Sequence, residues 1–206
     1  MLNANPRSSV GWGCFLVFYG HWMAPRKRVE HLPSNHSCYK RSTLLEYGSR
    51  LPQMLQSESL LHWDLLRRGY RLHHEPAAKI YHLNFSRLKP LLFEHLLAAR
   101  VFGADRARNW GAFRKMLYTL GAPLLPLIRL KRILKETVPV RLQTSLLFRA
   151  SLPLVLNLCA GSAGEMLGYA LGAAKAREQL FAFESERHLH INEDDLKAVS
   201  SLRASL

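Results

Sequence analysis

The stretch from Gln56 to Arg87, QSESLLHWDLLRRGYRLHHEPAAKIYHLNFSR, decides how the rest of the chain is interpreted. Leu61, Leu65 and Leu66 recur in it at helical spacing, which predicts a helix with one apolar face. Gly69 follows this pattern at the place where a left-handed C-terminal cap is expected. The stretch is therefore predicted to begin with a helix that ends at this glycine.

Two short strands are predicted after the glycine, over residues 70–72 and 78–82. Glu75 and Pro76 lie between them, and a proline in a short polar segment is typical of a turn. The stretch is therefore interpreted as a helix, a glycine cap and two strands, with His82 at the end of the second strand.

Glu58 is an acidic residue on the apolar side of the predicted helix. At about 100° per residue, it projects in the same direction as Leu61, His62 and Leu65. A carboxylate in that position has to be paired, desolvated or placed in a cleft, and desolvation makes a carboxylate a better proton acceptor. Two interpretations remain open: a buried Glu that is paired with an Arg or His, or a general base.

The order of helix, Gly-Tyr-Arg-Leu, strand and histidine resembles the acceptor half of the family 2 glycosyltransferases. Members of that family have the A-type nucleotide-sugar transferase fold and an acidic pair at the start of the helix. Counting back from Gly69, the pair falls on Ser57 and Glu58, so a serine replaces the first acid and Glu58 replaces the usual Asp. The resemblance implies that Glu58 is the catalytic base and that His82 lies near a metal and the diphosphate.

A second similarity lies upstream, in residues 32–48, LPSNHSCYKRSTLLEYG. This segment resembles the family's Asn-x-Ser-Tyr-Lys/Arg-Arg segment, except that Cys38 intrudes before the tyrosine. The resemblance as a whole covers roughly residues 11–132. It implies further donor or acceptor contacts from Asn35, His36, Lys40 and Trp63. Trp63 would offer its apolar face to a sugar ring, or else it belongs to the core.

On this resemblance the fold class is α/β: a partial A-type glycosyltransferase fold of short strands and helices, followed by a mainly α-helical, membrane-associated region. Residues 1–110 would be the acceptor-side part of the catalytic domain, and residues 111–174 the apolar helical region. Residues 175–206 are predicted as a charged amphipathic helix and a polar tail. The complete enzyme would need a nucleotide-binding half and a divalent metal, Mg²⁺ or Mn²⁺. Because that half's Asp-x-Asp motif does not occur before Gly11, the chain alone is expected to be inactive.

Basic residues outnumber acidic ones, with 29 Lys and Arg against 15 Asp and Glu, which gives a formal net charge of +14. Such a balance favours an anionic partner: a nucleic acid, an acidic membrane surface or a phosphorylated substrate. The basic residues are dispersed among leucines, and the sequence patterns of zinc fingers, RNP motifs and basic zippers are missing. Nucleic acid is therefore not predicted as a partner.

Two apolar blocks lie in the C-terminal half of the chain. Residues 116–128 are uncharged, contain two prolines and are followed by basic residues, which is typical of a segment that lies in a membrane interface. Residues 146–174 are long enough to cross a bilayer, although Arg149 and Glu165 interrupt them. The alternative interpretation is a pair of buried helices in a soluble protein.

The sequence thus predicts part of a membrane-associated glycosyltransferase of polysaccharide biosynthesis, with its catalytic part in the cytoplasm. It would transfer a sugar from a nucleotide sugar to a cell-envelope or lipid-linked glycan. The alternative is a non-catalytic basic protein that binds an anionic membrane surface and retains half of a transferase fold.

Overall fold

The computed structural model describes residues 1–24, 29–33, 36–137 and 142–204. It is 69% helical, and its two strands are short and parallel. The α/β fold class predicted from the resemblance, a partial A-type glycosyltransferase fold, is therefore wrong. The described chain is a mostly helical protein.

The two strands, β1 (Leu2–Asn3) and β2 (Tyr81–His82), pair in parallel. Of the strand predicted over residues 78–82, only the last two residues pair, and residues 70–72 form no strand. An extended segment becomes a strand only when the backbone of a neighbour bonds to it. Among the described residues no strand runs beside residues 70–72, so the apolar and aromatic character of that segment is not enough.

The described residues form ten α-helices, numbered here in chain order: α1 (Ser9–Phe18), α2 (Arg41–Leu45), α3 (Leu51–Gln56), α4 (Glu58–Arg67), α5 (Leu88–Arg106), α6 (Ala112–Gly121), α7 (Leu125–Thr137), α8 (Thr144–Leu171), α9 (Ala176–Ser185) and α10 (Glu193–Ala204).

The chain divides into two compact units. The smaller unit is Ala24–Ala78 and holds α2, α3 and α4; the larger unit combines Met1–Met23 with Lys79–Leu206. The predicted division at residues 110 and 174 stays a prediction.

Helix α8 is the central helix of the larger unit, and α5 lies along it at close range. Gly161, Gly164 and Gly168 form the side of α8 that meets α5. A Cβ atom at Gly164 would overlap the carbonyl oxygen of Leu96, and one at Gly168 would overlap that of Arg100. Any larger residue would push the two helices apart, so these glycines set the distance between them.

Polar side chains in the C-terminal half of α8 are buried and bonded to neighbouring elements. Glu165 is 2% exposed, forms an ion pair with Arg129 of α7, and accepts a hydrogen bond from the Tyr169 hydroxyl at 2.6 Å. Ser162 donates to the carbonyl oxygen of Ala122 at 2.6 Å. Because buried polar groups are costly without partners, these contacts determine how α7 and the turn before it dock on α8.

By length and composition, α8 is the one helix among the described residues that could cross a membrane. This agrees with the membrane association predicted for the C-terminal half, whereas the cytoplasmic orientation stays a prediction. Within the protein, Leu154 and Leu158 of α8 pack in one buried cluster with Leu16 of α1 and Ile133 of α7. Helix α8 is therefore also the core helix of the larger unit.

The close contact at the glycines predicts that the effect of a Gly→Ala substitution on stability depends strongly on its position. Gly164→Ala places a methyl group against the backbone of α5, so the free energy of unfolding should fall by about 1–3 kcal/mol, the usual cost of overpacking. Gly121→Ala is the matched control, because its added Cβ has nothing within 4 Å and alanine is the better helix former. Urea or thermal unfolding measures both. Equal stability of the two variants would show that glycine does not set the distance between the helices.

Candidate functional site

Helix α4 carries the residue predicted as the catalytic base and lies in the smaller unit. It begins at Glu58, directly after Ser57 ends the preceding helix, and it stops before the predicted glycine. Gly69 has a φ of +88°, and the N–H of Tyr70 donates to the carbonyl oxygen of Leu65 at 3.0 Å. The left-handed cap is thus confirmed, because a residue with positive φ lets the chain turn back and bond the last carbonyls of the helix.

The apolar face predicted for α4 is buried. Leu61 and Leu65 pack with Tyr47 in one cluster, and both Leu61 and His62 are 0% exposed. Glu58 lies at the start of the same face and is half-buried. The structure therefore holds a carboxylate at the edge of an apolar cluster, as its spacing from the leucines indicates.

A chain of hydrogen bonds connects Glu58 with the buried histidine through Tyr39. The Tyr39 hydroxyl oxygen lies 3.1 Å from Oε1 of Glu58 and 2.7 Å from Nε2 of His62. Nδ1 of His62 accepts a hydrogen bond from the backbone N–H of Leu32 at 3.3 Å. Because Nδ1 accepts, the ring proton is on Nε2, which donates to Tyr39, and the Tyr39 hydroxyl donates in turn to Glu58.

Burial determines the charge states along this hydrogen-bond chain. It lowers the pKa of His62 to about 4, so the ring is neutral at pH 7 and keeps one tautomer. Burial, together with the nearby Glu58 carboxylate, raises the pKa of Tyr39 well above its ordinary value, so the phenol keeps its proton. The Tyr39 phenol, which is itself bonded to the neutral ring of His62, therefore orients the Glu58 carboxylate.

Three further predicted site residues lie in the same unit, whereas Asn35 lies outside the described residues. His36 is half-buried; burial lowers its pKa, and the charge of Glu58 opposes this shift. Lys40 is exposed immediately before α2, and Trp63 is half-buried on α4. His36 is therefore close enough to Glu58 for the carboxylate to affect its pKa.

The sequence alone does not single out Tyr39 or His62 as site residues. His62 lies four positions after Glu58, and side chains at that spacing share one side of a helix, which is the signal that could have found it. Tyr39 lies 19 positions before Glu58. No local pattern connects residues so far apart, so only the folded chain identifies this contact.

His82, predicted to lie near a metal and the diphosphate, belongs to the larger unit. Its Nε2 lies 2.9 Å from the Tyr19 hydroxyl oxygen, and its Nδ1 lies 3.0 Å from Oδ1 of Asn84. Asn84 also donates to Asn3 at 2.9 Å, so His82 is part of a network that joins β2 to β1. Both ring nitrogens of His82 therefore lie in hydrogen bonds within the larger unit.

A metal site elsewhere would need several ligating side chains close together. Among the residues that the structure describes, no group of three His, Cys, Asp or Glu side chains is arranged to hold a metal ion. The divalent metal and the metal contact of His82 stay predictions about the complete enzyme. The chemistry that the described residues can perform themselves centres on the oriented carboxylate of Glu58.

The neutral state of His62 predicts a loss of stability in acid. Its folded pKa of about 4 lies below the ordinary value of 6.5. The unfolded chain therefore binds a proton that the folded chain excludes, and the free energy of unfolding falls as the pH decreases from about 6.5 to about 4.

His62→Gln tests this prediction, because glutamine keeps one acceptor and one donor but does not titrate. Urea unfolding at a series of pH values should show a smaller fall in stability for the variant than for the wild type. Part of the fall should remain, because burial also lowers the pKa of His95 in the larger unit to about 4. An identical pH dependence of the two proteins would contradict the assignment to His62.

Comparisons with known proteins provide no relative from which a site could be transferred. No family model, no curated protein and no solved structure matches the chain. Any functional proposal therefore depends on the contacts of this chain's own residues.

Proposed function

We propose that the protein takes part in glycosyl transfer, with Glu58 as the base that deprotonates the acceptor hydroxyl. The observation that carries the proposal is the hydrogen-bond chain from His62 through Tyr39 to the Glu58 carboxylate, at the edge of an apolar cluster. The residue held in this way is the one that the resemblance to family 2 glycosyltransferases implies as the base. The support comes from these residues and not from the fold, which is mostly helical.

An oriented carboxylate suits the deprotonation step. The Tyr39 hydroxyl holds Oε1 of Glu58, so the carboxylate does not have to be oriented during the reaction. As the acceptor oxygen bonds to the anomeric carbon of the donor sugar, its proton passes to Glu58. The bond between the sugar and the nucleoside diphosphate breaks, and the diphosphate leaves with the electron pair.

Other residues of the smaller unit would bind the two substrates. Lys40 is exposed and would contact the negative charge of the diphosphate. His36, whose pKa is lowered by burial and raised in part by the nearby Glu58, would contact the acceptor, and Trp63 would offer an apolar face to a sugar ring. A divalent metal, Mg²⁺ or Mn²⁺, is proposed for the complete enzyme, where it would neutralise the leaving diphosphate.

The proposed donor is a nucleotide sugar, and the proposed acceptor is a cell-envelope or lipid-linked glycan. The cytoplasmic leaflet of a membrane carries anionic lipids, which attract a chain with a net charge of +14. We therefore place the catalytic part on the cytoplasmic side of a membrane, with no role for nucleic acid.

A non-catalytic membrane-binding function is the second candidate, because a feature of the larger unit favours it. Large apolar side chains on α6 and α7 are exposed rather than packed. A protein that only binds an anionic membrane would need these side chains but not an oriented carboxylate in its other unit. The two candidates therefore differ in whether Glu58 matters for anything besides stability.

Glu58→Gln separates the two candidates, because it keeps size and polarity but removes the base. Sugar incorporation should fall by about 10²–10⁴-fold, the usual contribution of acid–base catalysis. Membranes and extract from cells that produce the chain would receive a panel of radiolabelled nucleotide sugars with Mg²⁺ or Mn²⁺. Label in the extracted lipids and glycans, above that in cells without the chain, is the measurement.

Glu46→Gln is the matched control, since Glu46 lies in the same unit and is paired with Arg68 at the surface. It should keep wild-type incorporation. Normal incorporation by folded Glu58→Gln protein would show that Glu58 has a structural role and is not the base. Because the chain alone is expected to be inactive, the extract has to supply the nucleotide-binding half of the complete enzyme. If the wild-type protein incorporates no label above background even in the presence of that half, the non-catalytic function is favoured.

A further inference from the structure

A stripe of large apolar side chains runs along the outside of α6, the 3-10 turn Ala122–Leu124 and α7. Each of its side chains is more than half exposed: Phe113 74%, Leu117 57%, Leu120 71%, Leu124 58%, Leu127 68% and Ile128 61%. These six residues are called the apolar stripe below. Single exposed leucines are common on proteins, but a continuous row of this size marks a surface that something covers.

The spacing of the apolar stripe is helical from end to end. Its members follow one another at intervals of three or four residues, except for the neighbours Leu127 and Ile128, so they line one side of the segment. The 3-10 turn joins α6 to α7 without an intervening loop. The stripe therefore extends over about 16 residues, or roughly 24 Å at 1.5 Å per residue.

The opposite side of the same segment is fixed to the protein. Ala122 is 1% exposed and accepts the hydrogen bond from Ser162, and Ile133 is 6% exposed in the cluster with α8. Arg129 pairs with the buried Glu165. These contacts set the rotation of the segment about its axis, so the stripe cannot turn inwards without breaking them.

Basic side chains accompany the stripe. The segment from residue 112 to residue 137 contains six Lys and Arg and one Glu. Of the basic residues, Arg114, Lys131, Arg132 and Lys135 are exposed. A helix with one apolar side and flanking cations has the composition of a segment that lies at the surface of an anionic bilayer.

Helix α8, which is long and apolar enough to cross a membrane, makes many contacts within the protein. Helix α8 is packed against α1 and α5, and its Ser162 and Glu165 are buried and bonded to protein groups. Its glycines are in contact with the backbone of α5. The side of α8 that carries these groups is thus buried against other helices of the larger unit.

We propose that α6 and α7 lie in the plane of an anionic lipid bilayer, with the apolar stripe at the boundary between headgroups and acyl chains, and that α8 does not cross the bilayer. Exposed cations of the segment bind lipid phosphates at the same surface. The chain is thereby attached to one face of the membrane. This attachment does not depend on sugar transfer, and it holds for either function considered above.

Flotation with lipid vesicles tests the attachment. The purified protein should bind vesicles of phosphatidylcholine mixed with phosphatidylglycerol more tightly than vesicles of phosphatidylcholine alone, and added salt should reduce the difference. The double variant Leu120→Glu, Leu127→Glu should bind at least about 100-fold more weakly, because each leucine contributes about a factor of ten or more.

The matched control is Leu171→Glu with Phe181→Glu. These residues are 68% and 75% exposed, lie outside α6 and α7, and bring the same change of charge. The control should bind vesicles nearly as the wild type does. If both double variants lose binding equally, charge alone explains the loss and the assignment to the stripe is overturned.

Circular dichroism should show that each variant is folded, since every substituted side chain is exposed. If the first double variant is unfolded, Leu124→Glu with Ile128→Glu replaces two other members of the stripe and carries the same expectation. Lys131→Gln with Arg132→Gln should weaken binding to anionic vesicles by roughly five-fold per residue and leave binding to neutral vesicles unchanged.

The position of α8 is tested with tags at the two chain ends in membrane vesicles from producing cells. If α8 stays on one side, protease added to vesicles of one orientation removes both tags or neither. Removal of one tag alone, with the other protected, would show that the chain crosses the membrane and would overturn this part of the proposal.

A second copy of the chain is the competing occupant of the stripe. In that case the wild type would be a dimer in light scattering, Leu120→Glu with Leu127→Glu would be a monomer, and neither would float with vesicles. That combination would overturn the proposal.

Discussion

The contact between α5 and α8 is the constraint on which the larger unit depends. Three glycines let the two backbones come together, and at Gly164 and Gly168 even a methyl group would overlap a carbonyl oxygen of α5. At this distance each helix excludes water from the other over several turns. The remaining helices of the unit are arranged around a pair whose separation is already determined.

Buried polar groups on α8 then specify where its neighbours lie. Glu165 needs a cation and finds Arg129, while Ser162 needs an acceptor and finds the carbonyl oxygen of Ala122. Leaving the Glu165 carboxylate unpaired in this position would lower the stability by several kcal/mol. The ion pair therefore fixes the rotation of α7 about its own axis. The same rotation that satisfies Glu165 turns the apolar side chains of α6 and α7 outwards. The contacts that pack α7 against α8 thus also determine which apolar side chains of α6 and α7 are exposed.

The smaller unit combines a local and a non-local arrangement. Helix α4 has its apolar face and its glycine cap within about a dozen residues, so neighbouring positions suffice to form it. The hydrogen-bond chain from His62 to Glu58 passes through Tyr39, which comes from a different part of the unit. Tyr39 keeps its proton and His62 is neutral, so both stay in the hydrogen-bonding form that this chain of contacts requires. The proposed function depends on this site and not on the fold, because a transferase fold is absent from the described residues.

The sequence by itself determined the features that depend on neighbouring residues. The apolar face of α4, the left-handed turn at Gly69 and the helical character of residues 146–171 all follow from spacing and local backbone preference.

The tertiary structure alone decided the strands, the contact of Tyr39 with Glu58 and the burial of Glu165. A strand needs a partner: Tyr81 and His82 pair with Leu2 and Asn3, which are distant in the sequence, whereas residues 70–72 have no such partner among the described strands. An interruption in an apolar run, such as Glu165, gives no sign of which cation will meet it. The physical reason is the same in each case: these groups are satisfied by atoms that are distant in the sequence, and only folding brings them within bonding distance.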